Sequence, residues 1–155
     1  MKSAVPVPHL RLRKHLGPDI APPVWAAGIA PVAIAEIDPR AAHAVLAASL
    51  PVADFNNWHA TLLSDSEYDP ELCVAAVTGA GAVVGVVQCW TSAFVKDLAV
   101  APDWRRHSIG TSLMQHAFTL FSRRGAAHVD LKVDIENHAG RQFYARLGMM
   151  EISSR

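Results

Sequence analysis

Residues Val95 to Met114, V-K-D-L-A-V-A-P-D-W-R-R-H-S-I-G-T-S-L-M, hold the side chains and spacing best suited to gripping an anion. Val95, Leu98 and Val100 read as a buried strand, Pro102 stops it, and an amphipathic run begins at Ile109 with Gly110 in its first turn. The first amides of such a helix have no partner within it. Together with the positive end of the helix dipole they favour phosphate. Arg105, Arg106 and His107 stand just ahead of those amides. That placement opposes helix-dipole stability and suits a polyanion, although a solvated basic turn would read the same way.

A second chemical stretch follows at Asn137 to Met149, N-H-A-G-R-Q-F-Y-A-R-L-G-M. The first segment resembles the acyl-CoA-binding motif of the GNAT N-acetyltransferase superfamily, L-x-V-x-P-x-x-[RQ]-x-x-G-x-[GA], through Leu98, Val100, Pro102, Arg105 and Gly110. The second is similar to that family's N-x-x-A-x-x-[LF]-Y-x-x-x-G-F. There are three departures: Ser108 stands where the family has glycine, Ala139 falls one place early, and Met149 replaces an aromatic.

The resemblance implies transfer of an acetyl group from acetyl-CoA to an amine of a small molecule or peptide by direct attack. It places the pyrophosphate over the amides of Arg106, His107, Ser108, Ile109, Gly110 and Thr111, beside Arg105, and puts Asn137 in the same cofactor site. Backbone amides of Leu98, Ala99 and Val100 would polarise the thioester carbonyl. Tyr144 matches the family's general acid, against the plainer reading of an aromatic packed beside Phe143. The base is less clear. Asp97 is the sole carboxylate of its strand, and it is either paired with Lys96 or Lys132 or held in the site with a raised pKa. A water relay is a further route. The alternative function is a non-catalytic acyl-CoA-binding module, which Ser108 and the missing base encourage; a purely structural domain would make both motifs coincidence.

These residues need elements to position them. The pattern predicts a strand near 29–34, a helix after the Asp38-Pro39 cap, a second helix over 54–63, and strands over 72–77, 82–90 and 93–100. A long helix over 108–124 and an alternating strand over 128–135 follow, the strand with Val129, Leu131, Val133 and Ile135 on one face and Asp130, Lys132 and Asp134 on the other. Asn137 would cap a last helix closed by Gly148. The order β-α-α-β-β-β-α-β-α-β is similar to the GNAT fold, a mixed, mostly antiparallel α/β (α+β) sheet with helices on both faces. The resemblance makes the strand ending at Val100 and the strand 128–135 the family's splayed central pair.

Residues 1–31 contain six of the ten prolines, so residues 1–27 are expected to form an extended arm and 28–155 a single domain. Past Gly148 there is room for one strand where the family has two. Either the sheet is short or the alternating run His9-Leu10-Arg11-Leu12-Arg13 supplies a strand, as exposed edges tend to be covered.

Composition bounds the partners. With 51% hydrophobic residues and zero formal charge, one core can form and no bulk field draws the chain to nucleic acid or membrane. The uncharged run from Leu72 to Val95 is long enough to cross a bilayer as a helix, but Thr78-Gly79-Ala80-Gly81 and Thr91-Ser92 divide it into hairpin strands. Cys73 and Cys89 read as buried thiols of a cytoplasmic protein, and the eight histidines lack metal-ligand spacing. Trp25, Phe55, Trp58 and Trp90 could line an acceptor pocket, though such aromatics are more often core. A homodimer is left open.

Overall fold

The computed structural model describes residues 8–105 and 107–152. Its strands are β1 (His9–His15), β2 (Ile29–Ala33), β3 (Tyr68–Thr78), β4 (Val83–Trp90), β5 (Phe94–Val100), β6 (His128–Asp134) and β7 (Met150–Ile152). The helices are α1 (Pro39–Ala47), α2 (Phe55–Ser64), α3 (Ile109–Arg123) and α4 (His138–Arg146). One sheet runs in the order β2-β3-β4-β5-β6-β1-β7. Neighbours are antiparallel except β5 and β6, which are parallel.

Both faces of the sheet are covered. Leu113, Met114, Phe118 and Phe121 of α3 pack on Leu72, Val74, Val87, Val95, Val129 and Leu131. Ala42, Val45 and Leu46 of α1, with Trp58 and Leu62 of α2, pack on Cys73, Val86 and Ala99 from the other side. Strands buried on both faces explain why the Leu72 to Val95 stretch carries no charge. Gly81 takes φ +89 in the turn between β3 and β4, where a side chain would be strained. Gly85 has a different purpose: a Cβ there would lie 2.9 Å from Cγ2 of Ile109, so its absence lets the start of α3 sit against β4.

The N-terminal segment is part of the sheet. β1 pairs with β6 from His9↔Asp134 to His15↔His128 and with β7 from Arg11↔Ile152 to Arg13↔Met150. The expected arm therefore supplies a strand, and it lies inside the sheet with Leu12 in the core. From β1 the chain straps across α3. Leu16 donates to the carbonyl of Ala127 (2.9 Å), Ser112 Oγ donates to that of Val24, and Trp25 meets His116 edge-on.

Two expectations for β6 are corrected by this insertion. Ile135 lies beyond the strand and is exposed, whereas Asp130, expected on the polar face, is only 3% exposed. Its carboxylate accepts from Arg13 Nε (2.7 Å) and Arg11 Nε (2.8 Å). The hydrogen bonds from Arg13 and then Arg11 outweigh desolvation and hold its pKa down to about 2. A depressed carboxylate pKa adds stability above the unfolded-state value near 4, and that stability is lost as pH falls toward 2. Asp130→Asn is expected to cost about 2 kcal/mol at pH 7, with partial exposure of the arginines already discounting the figure. Urea unfolding at pH 7 and pH 2.5 checks this, since the gap between variant and wild type should narrow in acid; an equal gap at both would remove the ion pair as its cause.

Candidate active site

The parallel strands β5 and β6 share one register pair, Phe94↔Asp130, anchored by the Asp130 amide donating to the carbonyl of Ala93 (3.0 Å). Beyond it the strands part. β5 leads through a 3-10 turn at Pro102–Trp104 to the start of α3, and β6 leads to the start of α4, so two helix N-termini flank the open end of a V.

Those two starts differ. Asn137 caps α4 by accepting from the Gly140 amide at 2.9 Å, as Asp38 and Asp54 cap α1 and α2. Ser108, before α3, makes no side-chain cap and takes φ 60, ψ 17, in the left-handed region. The first amide bonded within α3 is that of Ser112, to the Ser108 carbonyl (3.0 Å), which leaves Ile109, Gly110 and Thr111 without a partner in the helix. These residues line a cleft of about 340 Å³ with Val100, Trp104, Arg105, Phe143 and Arg146. A groove of about 400 Å³ continues from it, sharing Thr111, Phe143 and Arg146 and reaching Lys14, Asp19 and Ile20 of the strap.

The left-handed Ser108 explains the family's glycine at this place. A non-glycine residue there costs about 1 kcal/mol, which the turn absorbs in order to present the following amides. Ser108→Gly is expected to leave the melting temperature equal or higher and to change CoA affinity by no more than about tenfold. Calorimetric titration of the variant checks it, and complete loss of binding would mean that the hydroxyl itself holds the ligand.

The other expected residues are distributed around the V. The Arg105 guanidinium lines the cleft and donates to Ser49 Oγ (2.9 Å). His107 is exposed with its ring 5.6 Å from that of Trp104, and Arg106 lies outside the described residues. Leu98 and Val100 pack toward α3, while Ala99 packs toward α1 and α2. Tyr144 is half-buried with its ring 5.1 Å from that of Phe143, and burial raises the pKa of its hydroxyl.

Asp97 sits at a bulge. Gln88 pairs with Asp97 and Cys89 with Val95, so Lys96 is the extra residue, and its Nζ lies 2.7 Å from the Asp97 carboxylate. The carboxylate is thus paired with Lys96. Both side chains line a second cavity of about 350 Å³ beside α1 and α2, shared with Leu50, Val52, Trp58 and Trp90. Trp58 and Trp90 are thus the expected aromatics that reach a cavity there; Trp25 packs on the α3 side and Phe55 stacks on His59. Arg146, Trp104 and Lys14 were not expected at a site. Arg146 shares the Asn137 motif and was readable as a cation one turn after Phe143; the other two carry no sequence signal.

The sequence profile described as the Acetyltransferase (GNAT) family matches residues 34–149. The chain belongs to the GNAT family. An uncharacterized N-acetyltransferase of Methanocaldococcus jannaschii is 37% identical over 81 residues, covering 46% of this chain and 36% of the relative. N-alpha-acetyltransferase 30 of Schizosaccharomyces pombe is 33% identical over 55 residues, covering 36% of this chain and 37% of the relative. This GNAT chain therefore spans little more than a third of the length of those two relatives. Among solved structures, a GCN5-related N-acetyltransferase from Sphaerobacter thermophilus aligns with TM-score 0.81 and 28% identity over 93% of this chain and 48% of that one. The ribosomal-protein-S18-alanine N-acetyltransferase of Escherichia coli shares the GNAT fold with TM-score 0.68 and 20% identity, over 81% and 79% of the two chains.

Proposed function

We propose that this protein is an N-acetyltransferase that moves an acetyl group from acetyl-CoA to the amine of a small molecule or peptide. The observation that carries the reading is the uncapped start of α3, whose open amides face a cleft at the mouth of the β5–β6 gap. The donor set fits a pyrophosphate: consecutive amides at a positive helix end, with the Arg105 and Arg146 side chains beside them. The gap passes between the two faces of the sheet, so a thioester reaching into it from the α3 side would meet an amine held in the cavity beside α1 and α2. The Ala101 amide bonds to Val84 of β4, and the alternation of strand amides turns that of Ala99 the same way, so of the three amides expected for the oxyanion only those of Leu98 and Val100 point away from β4 and would stabilise it as the amine nitrogen attacks. The carbon–sulfur bond then breaks, and the thiolate takes the Tyr144 proton.

Asp97 is the carboxylate proposed to receive the amine's proton, directly or through water, and it stands 2.7 Å from Lys96. That same pairing supports the second reading, a non-catalytic acyl-CoA-binding module in which Asp97 is structural. A relative named as an N-alpha-acetyltransferase and a fold neighbour named for N-acetylating an alanine of ribosomal protein S18 support a peptide amine as one acceptor class. Both cysteines are buried free thiols, which supports a reducing, cytoplasmic setting.

The experiment is thermal unfolding and calorimetry with acetyl-CoA, followed by a free-thiol assay over an amine library. Binding raises the melting temperature, because a ligand held only by the native state must do so. No heat and no shift at saturating acetyl-CoA would end both readings; binding without turnover would leave the second.

A further inference from the structure

The cavity beside α1 and α2 has walls that select an acceptor. Leu50, Val52, Trp58 and Trp90 make it predominantly apolar, and its charges are confined to Lys96, Asp97 and Asp65. Lys96 already neutralises Asp97 at 2.7 Å. A second ammonium brought to this place would meet one cation and one remaining carboxylate, whereas a polyamine or aminoglycoside needs a carboxylate for each of its charges.

An independent observation concerns polar atoms without partners. Trp58 is 7% exposed, and its indole Nε1 is buried with no hydrogen-bond partner. Gln88, the cross-strand neighbour of Asp97, is fully buried, and neither atom of its amide is bonded. Unsatisfied buried donors and acceptors are rare and costly in a finished core. Trp58 lines the cavity itself and Gln88 lies beside Asp97 in the neighbouring strand, whereas the one other such residue among the described ones, His128, stands at the start of β6.

Resting on the acetyltransferase reading above, we propose that the acceptor is a primary amine carried on an uncharged, apolar body. The amine goes to Asp97 and the body lies against Trp58 and Trp90. The cavity is the size of one large side chain and its neighbouring atoms, so an aralkylamine and a peptide with an apolar first residue present the same chemistry to it.

The test measures thiol release at saturating acetyl-CoA with 2-phenylethylamine, a Phe-Ala-Ala amide peptide, and spermidine. At least one of the first two should exceed spermidine in kcat/KM by about tenfold or more, and which of them leads identifies the source. Val52→Glu should lower that lead by about tenfold while the acetyl-CoA Kd stays within about twofold. Thr61→Lys, at an exposed position on the cavity wall, repeats the test should the glutamate variant fail to fold, and it should weaken the apolar amine in the same way. Preference for spermidine overturns the proposal, as does unchanged kinetics in a folded cavity variant. Acetyl-CoA binding with no turnover of any of the three overturns it while the cofactor site stands; failure to bind acetyl-CoA removes the acetyltransferase reading with it.

Discussion

Removing residues 1–15 is expected to abolish cooperative unfolding and acetyl-CoA binding together. β1 is an interior strand, so its loss strips β6 of a seven-pair ladder and leaves β7, paired through Arg11 to Arg13, with no neighbour. Asp130 would lose both arginines together with the strand that covers it, forfeiting the roughly 2 kcal/mol of that pairing, and emptying the site of a buried leucine such as Leu12 adds roughly 2–5 kcal/mol. Those two losses alone reach the lower end of the stability of a typical domain, about 5–15 kcal/mol. The β5–β6 junction at Phe94 and Asp130 should open with them, and the proposed acetyl-CoA cleft lies beyond that junction. Circular dichroism through a urea series is the measurement, with a synthetic peptide spanning residues 8–16 added back. Recovery of a sharp transition with the peptide would show that the strand acts by completing the sheet, while a truncated chain that unfolds at the wild-type midpoint would make β1 dispensable.

That strand also shows where sequence reading reaches its limit. Local signals were strong wherever an element carries its own period: the alternation of β6, the Asp38 cap, and the uncharged hairpin strands β3 and β4 all announce themselves. β1 alternates too, but a strand does not name its partner, and its partner lies more than a hundred residues away. The pairing of Arg11 and Arg13 with Asp130 was invisible for the same reason. Three like-spaced polar residues, Asp130, Lys132 and Asp134, look equivalent along the chain, and only the position of β1 in the sheet buries the first. The cleft at the start of α3 was more legible, because an anion site at a helix start is built from consecutive residues. Its far wall was not. Phe143 and Arg146 reach the cleft from another helix, and Lys14 comes from the opposite end of the chain. The cavity beside α1 and α2 was least legible of all, since the bulge at Lys96 changes which residues face α2 and leaves no mark in composition.

Tyr144→Phe is expected to lower turnover about 100-fold while acetyl-CoA affinity stays nearly unchanged. The ring is held against Phe143 in the core on the α3 side, and phenylalanine keeps that packing, so fold and cleft should survive. What the variant lacks is the proton that the proposed mechanism hands to the departing thiolate. That need arises only as the carbon–sulfur bond breaks, so the loss belongs in kcat and not in ground-state binding. Burial raises the tyrosine pKa above its ordinary value of 10. A raised pKa keeps the hydroxyl protonated through neutral and mildly alkaline pH, so the wild-type rate should show no loss of this acid below about pH 10. Any fall at lower pH should follow the amine or its base, and it should persist in the phenylalanine variant on a lower plateau. Steady-state acetylation across pH 6 to 10, with calorimetric acetyl-CoA titration of both proteins, separates the roles. Full activity in the variant would make Tyr144 a packing residue and turn the search for the proton toward water. Equal losses in binding and turnover would mean that the hydroxyl supports the cleft itself.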